Sequence, residues 1–152
     1  MNKAARYEDL LREIRGLIAG VKDPLANYAN TVAAIYHTFP DINWAGFYFF
    51  KDGKLVLGPF QGRPACVFIS AGKGVCGTAS ETKTTLVVED VLDFPGHIAC
   101  DARSRSEIVV PLMHNSKVSA VLDIDSPVKS YFDRTDKKYL EAIVSLLEMT
   151  LP

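Results

Sequence analysis

The hydrophobic positions near the start of the chain recur at helical spacing. In the first twenty residues they fall three or four apart, and Gly20 suits the position just past a helix. A second helix is predicted to begin at Asp23, an N-cap residue followed by Pro24, and to end at Pro40. The apolar face of the first helix comprises Tyr7, Leu10, Leu11, Ile14, Leu17 and Ile18, and that of the second comprises Leu25, Tyr28, Ala29, Val32, Ile35, Tyr36 and Phe39.

The middle of the chain changes to the short apolar runs and alternation that are typical of strands. Two β-rich runs flank Asp52-Gly53, which predicts a hairpin. A segment of glycines and small residues at 72–82 predicts a short helix. Further strands are predicted at 65–70, 84–91, 106–114 and 117–126, the last two joined by a turn at Asn115-Ser116.

Residues 133–149 return to helical spacing, with Asp133 or Thr135 as the predicted cap. Its core face holds Leu140, Ile143, Val144 and Leu147. Helices at both ends and mostly antiparallel strands between them predict an α+β fold with a central sheet of about six strands. We expect the terminal helices on one face of the sheet, and a ligand pocket under loops on the other.

Composition and charge narrow the classes of protein. The 152 residues predict one domain, 1–152, and a net charge of -1 without a basic stripe argues against nucleic acid or membrane partners. No apolar run reaches the ~18 residues of a membrane span, and the charged N-terminus lacks a signal-peptide core. We therefore expect a cytoplasmic protein, where thiols stay reduced and a disulfide is more often catalytic than structural.

Three acidic residues lie on predicted strands. Asp123 and Asp125 share one face of their strand, while Leu122 and Ile124 share the other. Close carboxylates repel, which raises one pKa and allows proton donation near neutral pH. The residues alone support equally well a strand end that turns into solvent. Glu107 opens the preceding strand and, taken alone, is typical of a solvated charge.

The three cysteines, at 66, 76 and 100, form no C-x-x-C pair. Cys100 lies in a polar, irregular segment near His97, Arg103 and Arg105, where positive charge lowers a thiol pKa and favours the reactive thiolate. The alternative is a cysteine packed under its loop, and Cys66 and Cys76 also fit small packed residues. A zinc site of the three thiols and His97 lacks the usual spacing, so no metal is expected.

Aromatic residues suggest what the sheet face could bind. Trp44 and Tyr48 share one face of the first predicted strand, which is typical of core as well as of a pocket wall. Together with Glu107, Asp123 and Asp125 they would suit a small ligand with a cationic amine and an apolar tail. The Gly72-Lys73-Gly74 segment lacks the rest of a phosphate-binding loop, so its glycines favour a tight backbone turn.

Six motifs in order, NWAGFY, GPFQGRPAC, GKGVCG, FPGHIACD, SRSEIVVPL and VLDIDSP, resemble the free methionine-(R)-sulfoxide reductase family, which is built on a GAF domain. The resemblance runs from about Asn43 to the last helix, and it implies a GAF-like fold. It also implies that Cys100 is the nucleophile, that Cys66 is the resolving cysteine that forms a disulfide with it, and that Cys76 is a secondary partner.

The same resemblance implies a pocket. Glu107, Asp123 and Asp125 would bind and protonate the sulfoxide and hold the amine, between aromatic walls at Trp44 and Tyr48. No bound cofactor is implied; thioredoxin, supplied with NADPH electrons by thioredoxin reductase, would regenerate the thiols. Members often form homodimers. The alternative functions are a stand-alone GAF domain that binds a small ligand, and a redox-sensing module in which the disulfide is a signal.

Overall fold

Four α-helices and six β-strands form the part of the chain that the computed structural model describes, residues 1–97 and 100–152. The helices are α1 (Lys3–Ile18), α2 (Pro24–Thr38), α3 (Gly74–Thr82) and α4 (Arg134–Glu148). The strands are β1 (Trp44–Lys51), β2 (Lys54–Gly62), β3 (Phe68–Ser70), β4 (Leu86–Val88), β5 (Ser106–His114) and β6 (Lys117–Ser126), with a 3₁₀ turn at Val91–Asp93.

The six strands form one sheet in the order β3-β2-β1-β6-β5-β4, and all neighbours are antiparallel. Both predicted hairpin turns are confirmed. Asp52 and Gly53 have φ of 52° and 79°, and Asn115 and Ser116 have 52° and 64°. Two successive residues in the left-handed region match the right-handed twist of the flanking strands, which explains the preference for Asp, Asn and Gly there.

Alternation along the strands separates two cores. On one face, Phe47, Ile108 and Leu122 pack against α1, α2 and α4 in the larger core. On the other face, Tyr48, Val109 and Val121 form a smaller core with α3. The predicted placement of the terminal helices on one face is confirmed, and the opposite face is left to α3 and the loops.

The two strands at the sheet edges are shorter than their sequence patterns predict. The run at 65–70 is a strand only from Phe68, although the Val67 carbonyl still accepts a hydrogen bond from Leu57 N at 2.9 Å. The run at 84–91 is a strand only over Leu86–Val88, because Asp90 turns the chain by accepting from Leu92 N at 3.1 Å. An edge strand has one neighbour only, so fewer ladder bonds hold it extended.

Buried polar contacts attach α1 to α4. Asp136 in α4 is 0% exposed, and its carboxylate accepts from Tyr7 Oη at 2.6 Å and from Lys3 Nζ at 2.7 Å. Asp133, not Thr135, caps the helix by accepting from Thr135 N at 2.8 Å. Within the described ranges, no helix combines the length and apolar character needed to cross a bilayer.

Candidate functional site

A pocket opens on the face of the sheet opposite α1, α2 and α4. Its floor is built from β1, β5 and β6, and its sides from the first turn of α3 and the segment that carries Cys100. Every site residue predicted from the sequence except Cys66 lines it: Trp44, Tyr48, Cys76, Cys100, Glu107, Asp123 and Asp125. Cys66 is bonded to Cys100 at the rim, so the fold brings the whole predicted set together.

Cys66 and Cys100 form a disulfide across 34 residues of sequence, with their Cα atoms 5.8 Å apart. This is the pairing that the family resemblance implied. Cys100 is exposed and Cys66 is half-buried, so the bond lies where a second molecule can reach it. Part of the Cys100 motif, Ile98 and Ala99, lies outside the described residues.

The three acids cluster because sheet register places them on neighbouring strands. Glu107 of β5 pairs with Asp125 of β6, and Asp123 lies two residues earlier on the same face. Glu107 and Asp123 are each 6% exposed, and Asp125 is half-buried. Among the described residues, Asp123 Oδ1 has no hydrogen-bond partner. The solvated-strand-end alternative is therefore wrong for Asp123, and Glu107 is not a solvated charge.

Burial is the main cause of altered acidity in this cluster. It raises the pKa of Glu107 and of Asp125 well above their usual range, and the neighbouring Asp123 charge raises both further. Burial also raises the pKa of Asp123, although hydrogen bonds from Glu107 and Cys76 oppose the change. The cluster consequently holds protons at a pH where isolated carboxyl groups have lost them, and it titrates as a unit.

Cys76 lies in α3 directly against the acids, with Sγ 4.0 Å from Glu107 Oε2. Burial raises the pKa of this thiol well above its usual value, and the Asp123 charge raises it further, so the thiol stays protonated. Ligand atoms of Cys76, Glu107 and Asp123 lie within 4.8 Å of one another, close enough to hold a metal ion. The four-ligand zinc set considered from sequence is not assembled, because two of its thiols are joined in the disulfide.

Aromatic side chains form one wall of the pocket and also hold the segment that leads to Cys66. The Trp44 ring stacks against those of Tyr48 and Phe60, with ring centroids 5.9 Å and 5.5 Å away. Its Nε1 donates to the Arg63 carbonyl at 3.0 Å, and Tyr48 Oη donates to the Cys66 carbonyl at 2.9 Å. The aromatic wall and the backbone at Cys66 are therefore joined by hydrogen bonds.

Gly46, between the two wall residues in sequence, was not predicted as part of the site. A Cβ atom there would lie 2.4 Å from Trp44 Cη2 and 2.6 Å from Phe60 Cβ. The missing side chain is what lets the indole lie flat against β1. Glycine inside a strand often marks such a close approach, and that signal was available in the sequence.

The positive charges near Cys100 are not available to the thiol in the way that the sequence predicts. Arg103 is paired with Asp101 at 2.8 Å and Arg105 with Asp90 at 3.3 Å, so neither charge is free for a thiol. The bond from Arg103 lowers the pKa of Asp101. Asn43, which sequence reasoning did not single out, donates to Asp101 Oδ2 at 3.1 Å and to Ser104 Oγ at 3.0 Å. Arg103 and Asn43 thus hold the Asp101 side chain, next to Cys100, in place.

Comparison with known proteins agrees with this geometry. The GAF domain family matches residues 27–151, which confirms the expected GAF-like α+β fold. A free methionine-R-sulfoxide reductase of Escherichia coli (strain K12) is 51% identical, covering 99% of this chain and 92% of its own. The free methionine-R-sulfoxide reductase of Saccharomyces cerevisiae (strain ATCC 204508 / S288c) is 45% identical, and the match covers 97% of this chain and 86% of the yeast protein. The X-ray structure of free methionine-R-sulfoxide reductase from Neisseria meningitidis, in complex with its substrate, superposes with a TM-score of 0.96 at 44% identity, covering 99% of this chain and 90% of that one.

Proposed function

Because the chain belongs to the GAF domain family and, within it, to the free methionine-R-sulfoxide reductases, we propose that it reduces free L-methionine-(R)-sulfoxide to methionine. The observation that carries the proposal is a pocket in which Cys100 of the Cys66–Cys100 disulfide and three clustered acids, two of them buried, line the same space. A thiol that attacks sulfur and an acid that protonates oxygen are the two groups that this reaction requires.

Substrate binding follows from the charges in the pocket. The free amino acid carries an ammonium group, which a buried carboxylate of the Glu107–Asp123–Asp125 cluster can pair with. Its carboxylate can face the first turn of α3, where helix N–H groups lack intrahelical partners and Lys73 lines the pocket. The methyl and methylene groups can pack on Trp44 and Tyr48. A peptide-bound residue lacks the free ammonium, so the pocket should select the free amino acid.

The chemistry begins with the reduced protein. The Cys100 thiolate attacks the sulfoxide sulfur, and the sulfoxide oxygen is transferred to Cys100 as a sulfenic acid while methionine leaves. Protonation of the oxygen makes this transfer possible, and a carboxylic acid of the cluster, kept protonated by burial, can supply the proton. The remaining carboxylate can still pair with the ammonium, so three acids can serve two roles.

Resolution uses the second cysteine. The Cys66 thiol attacks the Cys100 sulfenic acid, the disulfide forms, and water leaves. We propose that thioredoxin then reduces the disulfide, so that no bound cofactor is required, and that this occurs in the cytoplasm, where thiols stay reduced. We further propose that residues 1–152 act as one domain and that the protein forms a homodimer, which sedimentation analysis would test.

The test is NADPH consumption with thioredoxin, thioredoxin reductase and free methionine-(R)-sulfoxide. The (S) epimer and a peptide-bound (R)-sulfoxide are the matched substrates. Turnover with the free (R) form alone supports the reaction, its stereochemistry and the selectivity together. Absence of turnover with all three, in folded and reduced protein, would overturn the proposal and favour a GAF domain that binds or senses without catalysis.

The nucleophile is tested separately by Cys100→Ser. Stoichiometric methionine release from the reduced protein should disappear, because serine cannot accept the oxygen as a sulfenic acid does. Near-normal release would exclude Cys100 as the nucleophile.

A further inference from the structure

The proposed reaction leaves one reactive side chain of the pocket without a role, the Cys76 thiol. Cys76 is the cysteine outside the disulfide, and it is 4% exposed. Its Sγ lies 4.0 Å from Glu107 Oε2, and single ligand atoms of Cys76, Glu107 and Asp123 all lie within 4.8 Å of one another. A free cysteine in a core usually behaves as a small apolar residue, but this thiol is packed directly against two buried carboxyl groups.

An oxygen atom without a partner in the same cluster points to a ligand. Asp123 is 6% exposed and lines the pocket, yet its Oδ1 has no hydrogen-bond partner in the described part of the chain. A buried polar atom left without a partner is costly, so it indicates a group that the site is built to receive. Glu107 and Asp125 are acids on the same sheet face, so the matching group is a cation.

We propose that Cys76, Glu107 and Asp123 bind a zinc ion, and that the bound ion excludes the substrate from the pocket. Thiolate and carboxylate are both zinc ligands, whereas Mg²⁺ and Ca²⁺ take six or more oxygen ligands and do not select sulfur. The three side chains supply three ligands of a tetrahedral ion, and water from the pocket can supply the fourth. The substrate ammonium is directed at the same carboxyl groups, so the inhibitory half of this inference rests on the proposed function, but zinc binding itself does not.

The ligand set is available in the oxidised protein. It differs from the four ligands considered from the sequence, because it uses neither Cys66 nor Cys100, and packing of α3 against β5 and β6 assembles it. A thiol binds zinc as the thiolate, so the ion replaces the Cys76 proton, which passes to solvent, and no group changes its oxidation state. Zinc can therefore bind while the disulfide is closed.

The binding experiment uses the oxidised protein, because Cys66 and Cys100 are then joined and Cys76 is the thiol that remains for a metal. Co²⁺ is the first probe, since a cobalt–thiolate bond gives a charge-transfer absorption in the near ultraviolet. Isothermal titration with Zn²⁺ then gives the Kd. Wild type is compared with Cys76→Ser and with Asp123→Asn, and circular dichroism checks that each variant is folded. Glu81→Gln is the matched control, because Glu81 is an exposed acid of the same helix, α3.

Wild type and Glu81→Gln should show the cobalt–thiolate absorption and lose it when Zn²⁺ is added. Cys76→Ser should lack the absorption. The Kd for Zn²⁺ should rise at least about 10²-fold in Cys76→Ser and in Asp123→Asn, since loss of a residue that only supports a ligand already costs about 10- to 100-fold. Absence of the absorption in wild type, or an unchanged Kd in either folded variant, would overturn the site.

Inhibition is measured on the reduced protein as methionine release in a single turnover without thioredoxin, relative to the rate of each protein without zinc. Zinc should inhibit wild type, and Cys76→Ser should need about 10²-fold more zinc for the same inhibition. Equal inhibition of the two proteins would place the inhibitory ion at Cys66 or Cys100, and an uninhibited wild type would also overturn this half of the proposal. Absence of methionine release without zinc, in protein that shows the cobalt–thiolate absorption, would overturn only the proposed function.

Discussion

Glu107 and Asp125 occupy directly opposed positions on β5 and β6, and both carboxyl groups have a raised pKa. Opposed acids on neighbouring strands are unfavourable in an ordinary sheet, because like charges face each other at short range. Here burial removes the solvent that would separate them, and the pair retains a proton instead. The protein therefore carries an acid at neutral pH at the floor of the pocket, at some cost in stability.

That cost predicts how stability depends on pH. A carboxyl whose pKa is raised on folding contributes stability that is complete below its unfolded value, near 4.5 for glutamate, and is lost as the pH rises through the folded value. Glutamine does not titrate, so Glu107→Gln removes this loss of stability at high pH. The variant should be more stable than wild type at pH 8, and above about pH 5 its free energy of unfolding should depend less on pH. Turnover should fall by about 10²-fold.

Urea denaturation between pH 5 and pH 9 checks this prediction. Glu13→Gln, at an exposed position of α1, is the control and should leave both properties unchanged. A Glu107→Gln variant as sensitive to alkaline pH as wild type would mean that Glu107 does not carry the buried proton.

The two candidate resolving cysteines should behave differently. Cys66→Ser should still release one equivalent of methionine but should lose turnover with thioredoxin, because Cys66 is the partner of Cys100 in the disulfide. Cys76→Ser should keep cycling, because the Cys76 thiol is buried and its raised pKa keeps it protonated and poorly nucleophilic. Methionine release in single and multiple turnovers separates the steps. Continued cycling in Cys66→Ser, with a Cys76–Cys100 disulfide found by mass spectrometry, would assign resolution to Cys76.

Gly46 should control the position of the aromatic wall. Gly46→Ala would place a methyl group against Trp44 and Phe60, so the indole, which lines the pocket, must move. We expect a KM for the sulfoxide raised about tenfold and a loss of about 1–3 kcal/mol in stability from overpacking. Trp44 is the only tryptophan of the chain, so its fluorescence reports the shift directly.

The matched control is Gly16→Ala, because a Cβ at Gly16, within α1, meets nothing within 4 Å. This variant should keep wild-type kinetics and fluorescence. Wild-type KM and an unshifted Trp44 spectrum in Gly46→Ala would show that the wall tolerates the methyl group and that Gly46 does not position it.

The bond from Tyr7 to Asp136 should stabilise the protein without affecting catalysis. Tyr7→Phe leaves a buried carboxylate short of one donor and should lower the free energy of unfolding by about 1.5–3 kcal/mol. Tyr139→Phe removes a bond of equal length, 2.6 Å, but to the exposed Glu8, so its effect should be smaller. Chemical denaturation compares the two. Equal losses would mean that burial of Asp136 is not what makes the contact matter, and a changed KM in either variant would argue against a purely structural role.

The sequence by itself determined much of the fold. Helical spacing located α1, α2 and α4, and Asp52-Gly53 and Asn115-Ser116 marked the turns, because these signals depend on neighbouring residues alone. Alternation also placed Asp123 and Asp125 on one face of β6, and Trp44 and Tyr48 on one face of β1. The predicted edge strands are longer than those in the structure, because the length of a strand depends on the ladder hydrogen bonds that its neighbour supplies.

What the tertiary structure decided is the chemistry of the site. The register of β5 against β6 put Glu107 opposite Asp125, and burial, which no local pattern reports, raised the pKa of both carboxyl groups. Likewise, motif resemblance named Cys66 as the partner of Cys100, but only the fold brings their Cα atoms to 5.8 Å across 34 residues. The role of Asn43 also appeared only in three dimensions, because its side chain donates hydrogen bonds to Asp101 and Ser104, which lie far from it in the chain.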